Sequence, residues 1–466
     1  KRFVLPFKRA YARAKIDNLA SAAIAREFYL RHIEIFNGFF ESTPEKIGPQ
    51  DFLEHFDSLI DSMLANGYLS ACEAIRISQE GDPEMGAHRV AVAAHLGLMV
   101  PTEPGQSRPH LFNYSWFADR GMGGLLSFYA VEQLLETIDD LRWVIVHGIV
   151  PSALDEAIHS LLDQETKIFF SFSRNLSEQG LFNLKYLNYA SESEERSLGW
   201  TGGPATAYSG LWSHAAMSYG HNPTRFFLVR PRARASIVEV KRRLRQLHES
   251  TNYGFHSTDS LQESVAIMQT FLHPASFDIF NDVSILPDPS LALQLARLRE
   301  FTLNRRVSAS SLVVVGSAPM AVLGLRQAVD LDVLTPGRFG GLWRSPPAGI
   351  SLHDSAQYLY SGDPENLTYD PDKYFHFAGF KFLRLELLKE MKLMRGEDKD
   401  RIDLDLIDRY TGKESSISPI DLAAAKRRVK RRLLMQRIRG RMARIRSLKL
   451  TYRVLKRLGS HQGGTG

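Results

Sequence analysis

An apolar run that ends in Gly-Ser is followed, after a spacer of twelve residues, by Asp-Leu-Asp inside a second apolar run, and this segment constrains the fold most. The turn residues are Gly316 and Ser317, and the carboxylates are Asp330 and Asp332. Residues two apart in a strand point to the same face, so the two carboxylates are expected to project together. Adjacent carboxylates repel each other unless a cation lies between them. The segment therefore predicts two strands with a cation site at their edge.

The residue types at this edge suit a phosphate-bearing substrate and its metal ion. Paired carboxylate oxygens suit Mg²⁺, or Mn²⁺ in its place, usually shared with substrate phosphates. Gly316 lets backbone amides approach a phosphate, and the Ser317 hydroxyl is a donor. A helix over Met320–Arg326 would lead back to the acidic strand. The alternative is a surface strand whose aspartates face water, but the flanking Val313–Val315 and Val333–Leu334 are too apolar for an exposed edge.

The same pattern resembles the nucleotidyltransferase superfamily that includes DNA polymerase beta. That superfamily has an apolar strand, Gly-Ser or Gly-Gly, a spacer, and Asp-x-Asp between apolar residues. The resemblance implies that Asp330 and Asp332 are catalytic and bind the metal, while Gly316 and Ser317 bind the nucleotide. It also implies in-line displacement at phosphorus with a nucleoside triphosphate donor. Two Mg²⁺ ions would activate an acceptor hydroxyl and neutralise the leaving pyrophosphate.

A second stretch, Gly379–Ile407, resembles small nucleotidyltransferases that modify antibiotics or sugars. These carry a helix with Lys, then Arg, then Lys-Asp and a further Asp that starts the next helix. The corresponding residues here are Lys392, Arg395, Lys399, Asp400 and Asp403. The resemblance implies that the lysines and the arginine bind nucleotide, with Lys392 facing the triphosphate, and that the aspartates organise the helix start. Simple N-capping by aspartate is the alternative for those two carboxylates.

The superfamily usually supplies a third carboxylate on a later strand, and the sequence does not assign it. Asp354 is a candidate, and His353 beside it is either a ligand or a core histidine. Without that carboxylate, the chain could instead be a catalytically inactive scaffold that binds nucleotide in order to sense it.

The first part of the chain resembles the ParB/sulfiredoxin fold over residues 40–110. In that fold a Gly-x-(His/Arg)-Arg turn holds nucleotide phosphates at a helix start. The stretch Met85–Gly97 implies this role for Gly86, His88 and Arg89. Sulfiredoxins carry their reactive cysteine at the position of Ala87, so their chemistry is not expected. An arginine that pairs within its own chain at a helix start is the alternative, and a ParB-like ATP-dependent kinase is another.

The central region alternates strand-like and helical patterns, which predicts an α/β layer structure. Strands are expected at Trp143–Val150, Ile168–Ser173 and Thr224–Pro231, and a helix at Leu261–Leu272. The helix would be capped by Thr258 or Asp259, with Gln262 or Glu263 completing a capping box. His256 is a candidate catalytic residue, and a hydrogen-bonded loop histidine is the simpler interpretation.

The net charge is unevenly distributed. Fifteen Lys or Arg residues and no Asp or Glu lie between Leu422 and Gly466, whereas the whole chain carries +6, so residues 1–421 carry −9. Apolar residues recur in this tail at helical spacing: Leu434, Ile438, Met442, Ile445, Leu448, Tyr452 and Leu455. We expect residues 422–458 to bind an anionic membrane surface. Docking onto the protein itself and binding to nucleic acid are the alternatives.

These patterns predict a multidomain α/β (α+β) protein. The expected domains are residues 1–110, 111–289, 290–415 and 416–466. Cys72 is the only cysteine, which excludes an internal disulfide and fits a reducing, cytoplasmic compartment. The order of modules resembles bacterial proteins associated with surface polysaccharide gene clusters. The implied function is transfer of a nucleotidyl or phosphoryl group to a sugar, polyol or lipid-linked glycan, with a nucleic-acid-modifying protein as the alternative.

Overall fold

The computed structural model of the protein describes residues 3–42, 45–68, 73–79, 81–105, 112–196, 199–232, 236–249, 251–336, 343, 346–353, 358–414, 417–431 and 434–435. Helices and small β-sheets alternate along these residues, which confirms the expected mixed α/β class. They form two compact units. The first draws on Lys1–Leu323, Gln327–Ser355 and Gly362–Arg384, and the second on Gly324–Arg326, Ala356–Ser361 and Leu385–Gly466.

The first hundred residues are mainly helical. The helices are α1 (Leu5–Ile16), α2 (Ala22–Asn37), α3 (Pro49–Asn66) and α4 (Ala87–Leu96). Two short strand pairs accompany them: antiparallel β1 (Phe40–Ser42) with β2 (Glu45–Ile47), and parallel β3 (Ile75–Ile77) with β4 (Thr102–Pro104). The turn and helix predicted at the ParB-like motif are confirmed, since α4 ends where Gly97 follows.

The central region is built on an antiparallel sheet of order β6-β7-β5-β8. Its strands are β5 (Arg142–Val146), β6 (Thr166–Arg174), β7 (Thr224–Pro231) and β8 (Phe255–Ser257). The accompanying helices are α5 (Tyr114–Ala118), α6 (Gly124–Leu135), α7 (Asp155–Glu165), α8 (Glu178–Arg196), α9 (Ser209–Ser218), α10 (Ile237–Arg245), α11 (Thr251–Gly254), α12 (Leu261–Ile267) and α13 (Pro274–Phe280). All three predicted strands are present, but the first ends at Val146 and not at the predicted Val150.

The N-terminal helices and the central sheet share one hydrophobic core. Phe7 of α1, Phe128 of α6, Trp143 of β5 and Phe226 of β7 all lie in the same buried cluster. Fully burying an aromatic side chain of this size contributes about 1.5–3 kcal/mol. The first residues of the chain are therefore part of the framework that holds the central sheet.

The cap of α12 differs from the prediction. Ser260 is the N-cap, and its side chain accepts a hydrogen bond from the Glu263 amide, whereas Thr258 and Asp259 lie before it. The Thr258 hydroxyl is instead used by the central sheet, where it accepts from the Trp143 amide at 2.9 Å. The helix also changes to π geometry at Met268–Leu272.

A mixed sheet of order β11-β10-β9-β13-β12 follows. Its strands are β9 (Val313–Val315), β10 (Leu331–Leu334), β11 (Ile350–Leu352), β12 (Tyr374–Phe377) and β13 (Phe380–Leu383), with helices α14 (Pro289–Arg305), α15 (Ala318–Val322) and α16 (Pro364–Tyr369). One face of the mixed sheet packs against α14 through Val314, Leu331, Phe382, Leu295 and Leu298. The helix between β9 and β10, α15, begins earlier than the predicted Met320–Arg326 and is shorter. It begins at Ala318, with Pro319 in its first turn, where proline is favoured, and it ends at Val322.

The second unit contains α17 (Leu385–Arg395) and α18 (Asp398–Tyr410), and residues 419–431 are also helical. In this last helix Leu422 and Ala425 are buried, and Arg428 pairs with Asp398 at 2.8 Å. The start of the basic tail therefore packs on the protein itself. Leu434 is 57% exposed, and the other apolar positions of the predicted stripe lie outside the described residues. None of the helices in the described part of the chain is both long and apolar enough to cross a membrane.

The turn between β12 and β13 allows the strain of its backbone conformation to be tested. Phe377 pairs with Phe380, and both turn residues have positive φ, +49° at Ala378 and +79° at Gly379. This is the turn that favours Asn-Gly, and an alanine with positive φ is strained by about 1–2 kcal/mol. We expect Ala378→Asn to raise the free energy of unfolding by about 0.5–1 kcal/mol in denaturant titrations.

Ala65→Asn is the matched control for this turn variant. Ala65 is an exposed residue inside α3, where asparagine is a poorer helix former than alanine. The control should lower the stability by about 0.5 kcal/mol. A loss of stability in Ala378→Asn would contradict the strained turn.

Candidate functional site

The Gly-Ser turn lies directly against the carboxylate of Asp332. β9 pairs antiparallel with β10, so that Val315 is opposite Asp332 and Gly316 follows at the end of the strand. Gly316 has φ +67°, and an added Cβ would lie only 2.2 Å from Asp332 Oδ2. Only glycine fits this position, because both the backbone conformation and the carboxylate exclude a side chain. Ser317 stands between Gly316 and the start of α15.

Asp332 is held in place by the strand on its other side. β11 runs parallel to β10 with Ser351 opposite Asp332, and the Ser351 hydroxyl donates a 2.6 Å hydrogen bond to Asp332 Oδ1. Leu331 and Val333 point the other way and are fully buried. The predicted alternation is therefore confirmed: the carboxylate of Asp332 stands on one face of a strand whose other face belongs to the core.

Asp330 comes immediately before β10 and is exposed. It lies in a bend, two residues before Asp332. The structure thus brings four predicted residues, Gly316, Ser317, Asp330 and Asp332, to one end of the mixed sheet. We call these four residues the aspartate edge.

The donor set of the aspartate edge suits a hard cation. It offers carboxylate oxygens from Asp330 and Asp332, and a hydroxyl from Ser351 contacts one of them. Such ligands match Mg²⁺, which keeps several waters and is usually held by one or two carboxylates together with substrate phosphates. Among the described residues, no three His, Cys, Asp or Glu side chains come together as a complete metal site. Substrate oxygens and water would therefore complete the coordination.

Of the two candidates for a further ligand, the structure describes His353. His353 follows β11, and its amide donates to the Val333 carbonyl at 2.8 Å, which extends the pairing with β10. Asp354 lies outside the described residues. The position opposite Asp332 on β11 is occupied by Ser351, a neutral residue.

The residues of the second predicted motif form an ion-pair network in the second unit. Lys392 Nζ donates to Asp403 Oδ2 at 2.6 Å, and both side chains are 2% exposed. Arg326 also donates to both oxygens of Asp403, at 2.7 and 2.9 Å. Lys392 and Asp403 are therefore fixed by protein partners, and the assignment of Lys392 to a triphosphate stays a prediction.

Asp400 has the capping role that the sequence left open. Glu397 and Asp400 form a reciprocal capping box at the start of α18. Arg395 donates to both oxygens of Asp400, at 2.9 and 2.6 Å. Burial acts to raise the pKa of Asp400, but the Arg395 hydrogen bonds and the Lys392 charge lower it below its usual value. Lys399 is exposed and pairs with Glu397 at 3.2 Å.

The residues of the ParB-like turn are engaged with their own chain. Arg89 Nη1 donates to the Glu73 carbonyl at 2.6 Å and to Tyr68 Oη at 3.1 Å. The His88 ring packs edge-on against Phe56 at 4.5 Å, and burial lowers the pKa of His88 well below its usual value. Arg89 also folds over Gly86, since a Cβ there would be 3.2 Å from its Nη2. These contacts hold the start of α4, and a phosphate role for the turn stays a prediction.

A buried polar network in the central region was not found from the sequence, apart from His256. His256 Nε2 lies 3.1 Å from Glu263 Oε1, and His256 Nδ1 lies 3.2 Å from Tyr189 Oη. The other Glu263 oxygen accepts from the Asp259 amide at 2.7 Å. The Asp259 side chain itself points to the surface, where it lies 3.6 Å from Lys241 Nζ.

Burial favours the neutral forms of His256 and Glu263. It lowers the pKa of His256 well below its usual value and raises the pKa of Glu263 to about 8. A protonated Glu263 carboxyl can donate to His256 Nε2, and His256 Nδ1–H can then donate to Tyr189. Burial therefore favours a neutral hydrogen-bonded pair over an ion pair.

A second buried pair lies close by. Lys185 Nζ is 2.8 Å from His147 Nε2, and both side chains are completely buried. Burial lowers the pKa of Lys185 and of His147. His147 Nδ1 and both polar atoms of Asn188 have no hydrogen-bond partner among the described residues. In the sequence, the only indication of the Lys185–His147 pair is His147 itself, which follows the apolar strand β5.

In comparisons with known proteins, the chain matches no family model, no curated protein and no solved structure.

The contact between Gly316 and Asp332 can be tested with alanine. We expect Gly316→Ala to lower the free energy of unfolding by about 2–4 kcal/mol, because strain at positive φ adds to the collision with Asp332. Gly324→Ala is the matched control, since Gly324 also has positive φ, +70°, but a Cβ there meets nothing within 4 Å. Equal losses in the two variants, measured by denaturant titration, would contradict the close contact.

The neutral state of Glu263 makes a pH-dependent prediction. A glutamate titrates near 4.3 in the unfolded chain, about 4 units below the folded value, so the folded chain retains a proton that the unfolded chain loses. The contribution of Glu263 to the stability of the wild type should therefore fall between pH 5 and 8, by up to about 1.4 kcal/mol per pH unit. Glu263→Gln cannot titrate, and its stability relative to the wild type should rise over this range.

Denaturant titrations at pH 5, 6, 7 and 8 measure this difference. Because burial lowers the pKa of His256, the contribution of His256 to the stability changes with pH in the opposite direction, below the unfolded pKa of histidine. This contribution is common to both proteins, so it cancels in the comparison. Glu156→Gln, at an exposed position on α7, removes a carboxylate without touching the network. A constant difference between Glu263→Gln and the wild type would show that Glu263 is ionised in the fold.

Proposed function

We propose that the protein is a Mg²⁺-dependent nucleotidyltransferase or phosphotransferase, with its active site at the aspartate edge and a nucleoside triphosphate as donor. The observation that carries this proposal is the contact between the Gly316 backbone and the Asp332 carboxylate. A phosphate held by the Gly-Ser turn would lie beside the carboxylate that binds its metal. That proximity is what phosphoryl chemistry requires, since catalysis is mainly positioning and charge neutralisation.

Each residue of the aspartate edge would have its own role in the reaction. Asp332 is oriented by the Ser351 hydroxyl and cannot turn away without losing that hydrogen bond. Asp330 is exposed and free to meet a solvent-borne ion. Gly316 leaves room for the Asp332 carboxylate directly beside the turn, and Ser317 adds a hydroxyl donor. When bound, Mg²⁺ (or Mn²⁺) would neutralise phosphate charge and lower the pKa of the attacking hydroxyl.

The acceptor is proposed to be a hydroxyl of a sugar, a polyol or a lipid-linked glycan. A hydroxyl acceptor needs proton removal in the transition state, which a metal-bound carboxylate edge can assist. The basic residues of the 419–431 helix are exposed, including Lys426, Arg427 and Arg431. An anionic membrane surface that carries a lipid-linked acceptor would attract these charges.

The decisive test replaces the carboxylate without removing its hydrogen bond. Asp332→Asn keeps an oxygen for Ser351 and removes the charge that holds the metal. We expect the variant to lose transfer by at least about a hundredfold while its thermal midpoint stays within a few degrees. Transfer is measured with nucleoside triphosphates labelled at the α or the γ phosphate, Mg²⁺, and a cell-envelope extract as the acceptor source.

The position of the label separates the two reactions, because α label reports nucleotidyl transfer and γ label reports phosphoryl transfer. Asp139→Asn, at an exposed position before β5, is the matched control and should retain full activity. Mn²⁺ binding followed by electron paramagnetic resonance gives a second readout, which Asp332→Asn should weaken. Undiminished turnover and Mn²⁺ binding in that variant would end the proposal.

A further inference from the structure

A large cavity opens at the other end of the mixed sheet from the aspartate edge. Its volume is about 830 Å³, within the range of about 300–1,000 Å³ that is typical of small-molecule sites. The β12–β13 turn, Phe377–Gly379, forms one wall. β13 runs parallel to β9 with Lys381 opposite Val313, so Gly379 lies beyond the start of β9 while Gly316 follows its end. The cavity is thus separate from the proposed transfer site.

The opposite wall is one stripe of α12 and its π continuation. Gln262, Val265, Ala266 and Gln269 line the cavity at the helical spacing of three and four residues. The side-chain amides of Gln262 and Gln269 make no hydrogen bond to any other described residue. A π segment, here Met268–Leu272, is an irregularity that is often found at functional sites. Gln262 is exposed and Gln269 is half-buried, so both amides are open to hydrogen bonds from a ligand in the cavity.

The loop that closes the cavity is preformed. Gly199, Thr201 and Gly203 line it. An added Cβ at Gly210 of α9 would lie 1.6 Å from the Trp200 carbonyl oxygen, so α9 holds this loop tightly. A wall fixed in this way needs little ordering when a ligand binds, which favours affinity.

The charges of the lining point to a neutral ligand. Arg299 is the only formally charged side chain among the described lining residues, and its guanidinium Nη2 already donates to the Ala378 carbonyl at 2.8 Å. His376 also lines the cavity; burial lowers its pKa, and neither ring nitrogen has a hydrogen-bond partner among the described residues. Tyr186 and Tyr208 add aromatic surface, with ring centroids 5.3 Å apart.

We propose that this cavity binds the neutral, hydroxyl-bearing part of a carbohydrate. Amides and hydroxyls donate to and accept from sugar hydroxyls, and tyrosine rings cover the apolar ring faces. The one cation of the described lining, Arg299, already donates to the Ala378 carbonyl, whereas a phosphate group is usually bound by several charged donors. The site stands on its own geometry and holds whether or not the aspartate edge transfers nucleotides. It would give the protein a glycan-binding function in addition to its transfer chemistry.

The test is saturation-transfer NMR on the full chain with glucose, galactose, N-acetylglucosamine, maltose and ribitol. We expect saturable binding of at least one of these neutral probes. Gln269→Ala should weaken it by about fivefold to tenfold, as loss of a hydrogen bond to a neutral partner does. Gln262→Ala and Gln269→Ala together should abolish it. The exposed Gln164→Ala on α7 is the matched control and should bind as the wild type does.

Three results would overturn the assignment. The first is that none of the neutral probes gives a saturation-transfer signal with the wild-type chain. The second is an equal loss of binding in Gln164→Ala and Gln269→Ala. The third is binding of glucose 1-phosphate alone, lost in Arg299→Gln, which would make the cavity an anion site. Asp332→Asn should leave sugar binding unchanged, so the outcome is independent of the transfer assay.

Discussion

The antiparallel pairing of β9 with β10 is the interaction on which the proposed chemistry depends. It brings a glycine and an aspartate that are sixteen positions apart into direct contact, with the Gly316 backbone against the Asp332 carboxylate. The pairing works because Val313–Val315 on one strand and Leu331 and Val333 on the other are buried and fix the register. A slip of one residue would turn Asp332 into the core, where an unpaired carboxylate is very costly.

Buried charge is handled in two different ways in this chain. In the second unit it is paired: Lys392 with Asp403, and Arg395 with Asp400, through short hydrogen bonds. In the central region burial opposes it, because burial raises the pKa of Glu263 and lowers the pKa values of His256, His147 and Lys185. Paired networks lock a geometry, whereas neutral donors and acceptors in a low-dielectric interior can still exchange protons.

Particular residues show how far sequence reasoning reaches. The strand at Thr224–Pro231 and the helix before Gly97 follow from local alternation and helical spacing, because those patterns report which faces are buried. The cap of α12 was misassigned since Thr258, Asp259 and Ser260 are all good caps, and only the tertiary hydrogen bond of Thr258 to the Trp143 amide separates them. The sequence around α12 therefore could not identify its N-cap residue.

The sequence by itself determined the aspartate edge: Gly-Ser after an apolar run and Asp-x-Asp inside the next specify a turn, two strands and a shared face. The sequence could not determine the sheet order, which places β13 beside β9 and so puts the cavity at the end opposite Gly316. Nor could it assemble His147, Lys185 and His256, which lie on three separate elements. Short-range periodicity records burial along one element, whereas contacts between distant elements arise only when their buried faces pack together.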